Sequence, residues 1–267
     1  MSNIAFPFVE VPAGRVAPKP RKSGLTMFAD YGMTLEQTES LMRYAGGFAD
    51  FAKIMVGTAR LYPRDYLKEK LAVYKKAQVR PFIGGQFAEY VLANQGRQIM
   101  PRFFAEAVEL GFETIEISDN CVPLKDETRV ALIQEARAAG LSVLGEVGAK
   151  DRKSEAHELV AQAKIALDAG AEMVLVEAAE FLEGGKLKVD LIEELSKKLD
   201  MTRAMIELPG TWISGVSLSQ VEDIKKLLVK TFGPDVNIAN VKPEDLMGME
   251  AMRCGLWTVG PHVEDPV

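Results

Sequence analysis

Two cysteines and two histidines are all that 267 residues contain. Cys121 and Cys254 are too few for a disulfide framework, so a reducing cytoplasm is the expected compartment. His157 falls on a surface-type helical pattern and His262 near the C-terminus, which leaves no histidine placed for a Ser-His-Asp or Cys-His arrangement. Basic charge is also short. Lys and Arg number 32 against 38 Asp and Glu, a net charge of -6. That balance argues against a nucleic-acid partner, which selects basic surfaces, while a local basic site for a small anion stays open. No apolar run approaches the roughly 20 residues of a membrane span, so no membrane partner is expected. Met1–Pro20 lacks a basic start followed by an apolar run and does not read as a signal peptide. There is neither a P-loop nor a GxGxxG fingerprint, which argues against those nucleotide modes alone.

What is present is an alternation. Short apolar runs at Gly24–Ala29, Phe51–Val56, Val79–Ile83, Thr114–Ser118, Ser142–Val147, Met173–Glu177, Ala204–Leu208 and Val236–Ala239 read as strands. Amphipathic segments separate them, among them Leu35–Tyr44, Arg64–Lys76, Pro101–Leu110, Glu127–Ala139, Glu155–Ala169, Val189–Lys198, Leu218–Lys230 and Pro243–Arg253. Gly111, Gly140 and Gly170 each follow such a segment, where a left-handed stop is wanted. About eight strand–helix units in one chain of this length predict a single (β/α)8 TIM barrel, of class α/β, spanning 21–267. An open doubly wound sheet is the alternative. Residues 1–20, rich in Pro and Gly from Phe6 onward, read as an extended N-terminal arm.

Charge appears where strands end. Asp30, Glu146, Glu177 and Glu207 close apolar runs, Lys53 sits inside Asp50-Phe51-Ala52-Lys53-Ile54, and the fourth run offers Glu116, Ser118 and Asp119. The eighth ends at Asn240. In a barrel these ends build the active site. Any one acid is equally well read as a cap on the next helix. Four or five around one ring are different, because they repel one another unless a cation sits among them. Hard carboxylate oxygens without a Cys or His cluster suggest Mg²⁺ rather than Zn²⁺, with Glu146, Glu177 and Glu207 on successive strands as candidate ligands. Lys53 is then a proton donor or an anion partner, the plainer alternative being a salt-bridged barrel lysine. For phosphate, the Pro209–Gly210 and Ala239–Asn240 neighbourhoods and the Ile83-Gly84-Gly85 turn are candidates.

At these residues the sequence resembles the phosphosulfolactate synthase family of coenzyme M biosynthesis, to which plant heat-stress-associated 32-kDa proteins also belong. The matching stretches include Lys19-Pro20-Arg21 with Gly24-Leu25-Thr26-Met27 and Asp30, Asp50-Phe51 with Lys53, Gly57-Thr58, Gly84-Gly85 and Ile115-Glu116-Ile117-Ser118-Asp119. They continue with Glu146-Val147-Gly148 and Lys150-Asp151, Glu177-Ala178, Glu207 with Pro209, and Phe232-Gly233-Pro234, so that the likeness runs from about Lys19 to Leu256. The resemblance implies a cytoplasmic lyase that adds sulfite to phosphoenolpyruvate with Mg²⁺, through an enediolate. It implies Lys53, Glu116 and Asp30 as the catalytic set and Glu146, Glu177 and Glu207 as metal ligands. Lys19, Arg21, Thr58, Arg60, Ser118, Lys150 and Asn240 are the expected substrate contacts.

The sequence departs from the family pattern in its arginines. Ala179 and Trp257 stand where the pattern has arginine, while Arg60 is gained after Gly57-Thr58. Arginine is the preferred planar binder of phosphate and sulfonate oxygens, so these changes bear on which anion binds. Three expectations follow: sulfite addition to phosphoenolpyruvate or its reverse; related Mg²⁺-dependent enolate chemistry on another small carboxylate; or a non-enzymatic stress or interaction protein on the same scaffold. A homo-oligomer is expected, with the arm and Met247–Met252 suited to subunit contacts.

Overall fold

Short apolar runs that are hydrophobic on both faces need cover on both sides, and helices with one apolar stripe supply it. The computed structural model describes residues 5–11, 18–148, 155–183, 186–210 and 216–256. Its strands are β1 (Thr26–Asp30), β2 (Phe51–Ile54), β3 (Arg80–Ile83), β4 (Thr114–Ile117), β5 (Ser142–Val147), β6 (Met173–Glu177), the short β7 (Leu182–Glu183) and β8 (Lys186–Leu187), β9 (Ala204–Glu207) and β10 (Ile238–Val241). The helices are α1 (Leu35–Ala45), α2 (Arg64–Lys76), α3 (Gly85–Gln95), α4 (Met100–Leu110), α5 (Asp126–Ala138), α6 (Ala156–Asp168), α7 (Val189–Lys198), α8 (Leu218–Phe232) and α9 (Leu246–Arg253). Eight strands close in the order β1-β10-β9-β6-β5-β4-β3-β2, all pairs parallel, and β7 with β8 forms a separate antiparallel hairpin. This is the TIM barrel expected from the alternation, and the closed sheet removes the doubly wound alternative.

Strand parity sets what the barrel encloses. Met27, Phe51, Phe82, Leu144, Leu175 and Met205 point inward and pack together with Leu25, Met173 and Ala239. Their sequence neighbours, such as Phe28, Ile54, Ile115, Val143, Val176 and Ile206, point outward into the helical layer. Gly111, Gly140 and Gly170 take φ of 103°, 102° and 106°, the left-handed stops expected of them. Like the β7–β8 hairpin, helix α3 is an element the sequence pattern did not single out. It starts on two glycines, buries Glu89 and leaves Tyr90 60% exposed, so it shows no clean apolar stripe. Among the described residues, no helix is long and apolar enough to cross a membrane.

The N-terminal mouth is closed by ion pairs. Arg80 at the start of β3 donates twice to Glu172, at 2.8 Å each, and Ser142 adds a third bond. Burial pushes the Glu172 carboxyl upward, but the bonds from Arg80 and Ser142 and the charges of Arg80 and Arg203 outweigh it and hold it below its ordinary value of 4.5. A depressed carboxylate stabilises the fold above its unfolded pKa and loses that contribution as pH falls through the folded value. Glu172→Gln is therefore expected to be less stable at pH 7 by about 1 kcal/mol or less, since the pair is part-exposed. In urea titrations the gap should close well below pH ~4; an equal deficit there would show that charge is not its source.

Candidate active site

Two residues beyond the inward apolar layer, the same faces turn polar. Lys53 follows Phe51 on β2, Glu146 follows Leu144 on β5, Glu177 follows Leu175 on β6 and Glu207 follows Met205 on β9, with Glu116 on β4 completing the ring. All five are buried. Lys53 Nζ donates to Glu207 Oε1 at 2.7 Å and lies 2.7 Å from Glu116 Oε2. Burial alone would lower the Lys53 ammonium, but the charges of Glu116, Glu207 and Glu146 prevail and hold it well above its ordinary value. It is a fixed cation across the neutral range.

Among the described residues that line this ring, one lysine faces four glutamates. Glu177 and Glu207 are direct register partners on neighbouring strands, a like-charge pair that is unfavourable as it stands. Glu146, Glu177 and Glu207 each offer an oxygen, and these atoms lie within 4.8 Å of one another. Three buried hard oxygens fit a divalent cation of the Mg²⁺ or Ca²⁺ kind far better than they fit each other.

The ring floors a cavity of about 330 Å³ walled also by Tyr31, Met55, Val56, Gly84, Gly85, Gln86, Asn120 and Asn240. Gly85 opens α3 against the end of β4. A Cβ there would meet Ser118 Oγ at 2.0 Å and Glu116 Oε1 at 2.7 Å, so only glycine lets the helix start this close. No side chain caps that helix start. Glu89 on α3 accepts from the Ser118 hydroxyl and from the backbone N–H groups of Asn120, Cys121 and Val122, which fixes the loop carrying Asn120. Asn120 in turn donates to Glu146. Two rim residues have strained backbones: Val56 at φ 47° and Asn240 at φ 58°, a conformation L residues seldom adopt and β-branched ones least of all.

The structure brings Lys53, Glu116, Glu146, Glu177, Glu207 and Asn240 into one cavity. Other expected residues stand elsewhere. Asp30 points outward from β1, ion-paired to Lys70 Nζ at 2.5 Å, and accepts from Tyr74 and from the N–H groups of Gly32 and Met33. It anchors the loop after β1 instead of facing the ring. Lys19 and Arg21 are at the opposite mouth, where the chain enters under β1: Lys19 donates to the carbonyls of Gly46 and Ala77 at 2.9 and 2.8 Å, and Arg21 pairs with Asp50 at 2.9 Å. The Thr58 hydroxyl donates to Met55 O, and Ser118 is held by Glu89. Arg60 is exposed and lines a separate groove with Arg64 and Arg102. Lys150 and Trp257, like the side chain of Ala179, lie outside the described residues. Tyr31, Gln86 and Asn120 were not anticipated; the only signal was their place one residue past a strand-end acid or glycine.

The chain matches the model of the (2R)-phospho-3-sulfolactate synthase (ComA) family over residues 14–258. It is 36% identical over 263 residues to the phosphosulfolactate synthase of Methanothermobacter thermautotrophicus, covering 94% of this chain and 95% of that one. To the phosphosulfolactate synthase of Methanocaldococcus jannaschii it is 32% identical over 244 residues, 87% and 92% of the two chains. Among solved structures, 3-hexulose-6-phosphate synthase from Salmonella typhimurium superposes with a TM-score of 0.52 at 17% identity, over 87% of this chain and 100% of that one. That likeness concerns the barrel alone.

Proposed function

The chain belongs to the phosphosulfolactate synthase family and is an enzyme of that type, and on that premise we propose that it adds sulfite to phosphoenolpyruvate in its carboxylate-ringed cavity. The single observation that carries the reading is the buried ring itself, one lysine among four glutamates at the strand ends. In the reaction the sulfite sulfur forms a bond to the methylene carbon. The electrons of the double bond move toward the carboxylate, and a proton is delivered to the phosphate-bearing carbon. No group leaves, so atoms balance with one proton taken up.

Glu146, Glu177 and Glu207 would hold Mg²⁺, which when bound supplies Lewis-acid stabilisation for charge growing on the substrate carboxylate. Lys53 holds a proton on Nζ between Glu116 and Glu207, and is the group we assign to deliver it to the phosphate-bearing carbon. The uncapped first turn of α3, at Gly85 and Gln86, suits the phosphate. Lys150 is assigned to the anions by resemblance. We further assign the enzyme to the cytoplasm and to a homo-oligomer built on the exposed arm, where Phe6 and Phe8 are 71% and 80% exposed.

Incubation with phosphoenolpyruvate, sulfite and Mg²⁺ followed by mass analysis should show a sulfonated, phosphorylated product. None at high enzyme concentration would overturn the assignment of these substrates. The second reading, related chemistry on another carboxylate, is favoured by one observation: lysine 53 is the sole cation among the described residues lining the cavity.

A further inference from the structure

Outside the ring, α3 carries one more buried carboxylate. Glu89 sits one turn beyond Gly85 and is 2% exposed. A carboxylate is costly to bury, and where packing alone is wanted an apolar side chain of similar volume serves better. The four hydrogen bonds that Glu89 accepts all come from residues 118–122. Oε1 accepts from the Ser118 hydroxyl and from Asn120 N–H at 3.2 Å, and Oε2 from the N–H groups of Cys121 and Val122 at 2.5 and 2.9 Å. Three consecutive backbone donors thus converge on one carboxylate, with the added strength of bonds to an ionised acceptor. The stretch belongs to no helix or strand, so these bonds decide where it lies.

The opposite charge holds the other flank. Arg129 on α5, 3% exposed, pairs with Asp119 at 2.5 Å and donates to the backbone carbonyl of Glu146 at 3.0 Å. The stretch is therefore clamped between an acid on α3 and a base on α5, and neither charge faces the cavity. What does face it is Asn120, the residue of this stretch that forms part of the cavity wall. Its Nδ2 donates to Glu146 Oε2 at 2.5 Å. A chain of contacts thus runs from Glu89 through the backbone of residues 120–122 to the Asn120 amide, and from there to a carboxylate of the triad.

We propose that Glu89 is a positioning residue for the metal-holding ring: by fixing Asn120 it keeps the Glu146 carboxylate in the orientation that ligates the cation. The inference rests on the reading that Glu146, Glu177 and Glu207 hold that cation. A free carboxylate turns about its last bonds, whereas a donor that pins one oxygen selects a single presentation of the group. Losing such an outer donor typically lowers metal affinity by about 10- to 100-fold. Glu89→Gln acts one step further back, on the support of the donor. An amide has one acceptor oxygen in place of two, and its NH2 would meet N–H groups that need an acceptor. The bonds on one side of the carboxylate are lost, and Asn120 is released from its place.

Calorimetric titration of the full chain with Mn²⁺, alongside Tm, separates this role from a merely structural one. Glu89→Gln and Asn120→Ala are each expected to bind Mn²⁺ about tenfold or more weakly than the parent. The double variant should match Asn120→Ala to within about twofold, because both changes act through the same bond. Glu89→Asp keeps the charge and both acceptor oxygens on a shorter arm, so it should recover part of the loss; it also carries the cycle with Asn120→Ala if Glu89→Gln does not fold. A Glu89 variant that melts lower but binds Mn²⁺ like the parent overturns the proposal. So does a loss of equal size with and without Asn120, since the effect would then reach the metal by another route. Parent affinity that falls in Glu177→Gln but not in Asn120→Ala sinks the proposal and leaves the ring reading standing. A parent protein that binds no Mn²⁺ sinks both.

Discussion

Lys53→Met is expected to be inactive and markedly less stable. The substitution keeps much of the side chain's volume and removes the one charge that Glu116 and Glu207 face at 2.7 Å. Removing one partner from a buried ionic cluster costs about 3–5 kcal/mol, because the carboxylates it faced stay buried with their compensation reduced. Roughly 3 kcal/mol in a domain of this size lowers Tm by about 10 °C. Loss of the proton donor should reduce kcat/KM by about a thousandfold or more. The pH dependence has a definite sign. The Lys53 ammonium is held above its ordinary 10.5, so its stabilisation is fully present below that value and is lost only as pH rises through the folded one. Melts taken between pH 7 and about 9.5 should thus show a constant gap between parent and variant. If Lys53→Met melted with the parent, the lysine would not be what holds the ring together.

The ring was legible because two periodicities agree. Inward residues recur every second position, and strand ends in a barrel meet at one mouth, so Glu146, Glu177 and Glu207 could be placed together from sequence alone. The same parity, carried through β1, would have excluded Asp30: Leu25 and Met27 face the interior, which sends Thr26, Phe28 and Asp30 outward. Its burial serves Lys70 and Tyr74 on α2, a partnership across about forty residues that no local pattern announces. Lys19 and Arg21 stand apart from the ring for a topological reason. Residues preceding the first strand enter at the N-terminal mouth, and their charge is used on turn carbonyls and Asp50 there.

These distinctions matter for choosing where to probe the metal. Glu207 also holds Lys53, and Glu146 also accepts from Asn120, so replacing either disturbs more than coordination. Glu177→Gln leaves both of those contacts in place and removes the negative charge of one of three carboxylates whose oxygens converge within 4.8 Å. The expected result is a Mg²⁺ or Mn²⁺ affinity lower by about a hundredfold, at or beyond the range typical of lesser, outer-shell changes. Metal that binds only the folded state stabilises it by about 2.7 kcal/mol at a concentration of 100 Kd, so the parent protein should gain several degrees in Tm on adding Mn²⁺. Glu177→Gln should gain almost none at the same concentration and recover the shift only when metal is raised in proportion to its weaker affinity. Glu177→Asp, which keeps the charge on a shorter arm, should fall between the two. An unaltered metal-induced shift in Glu177→Gln would place the cation away from this triad, and with it the Lewis acid from the carboxylate the ring is proposed to bind.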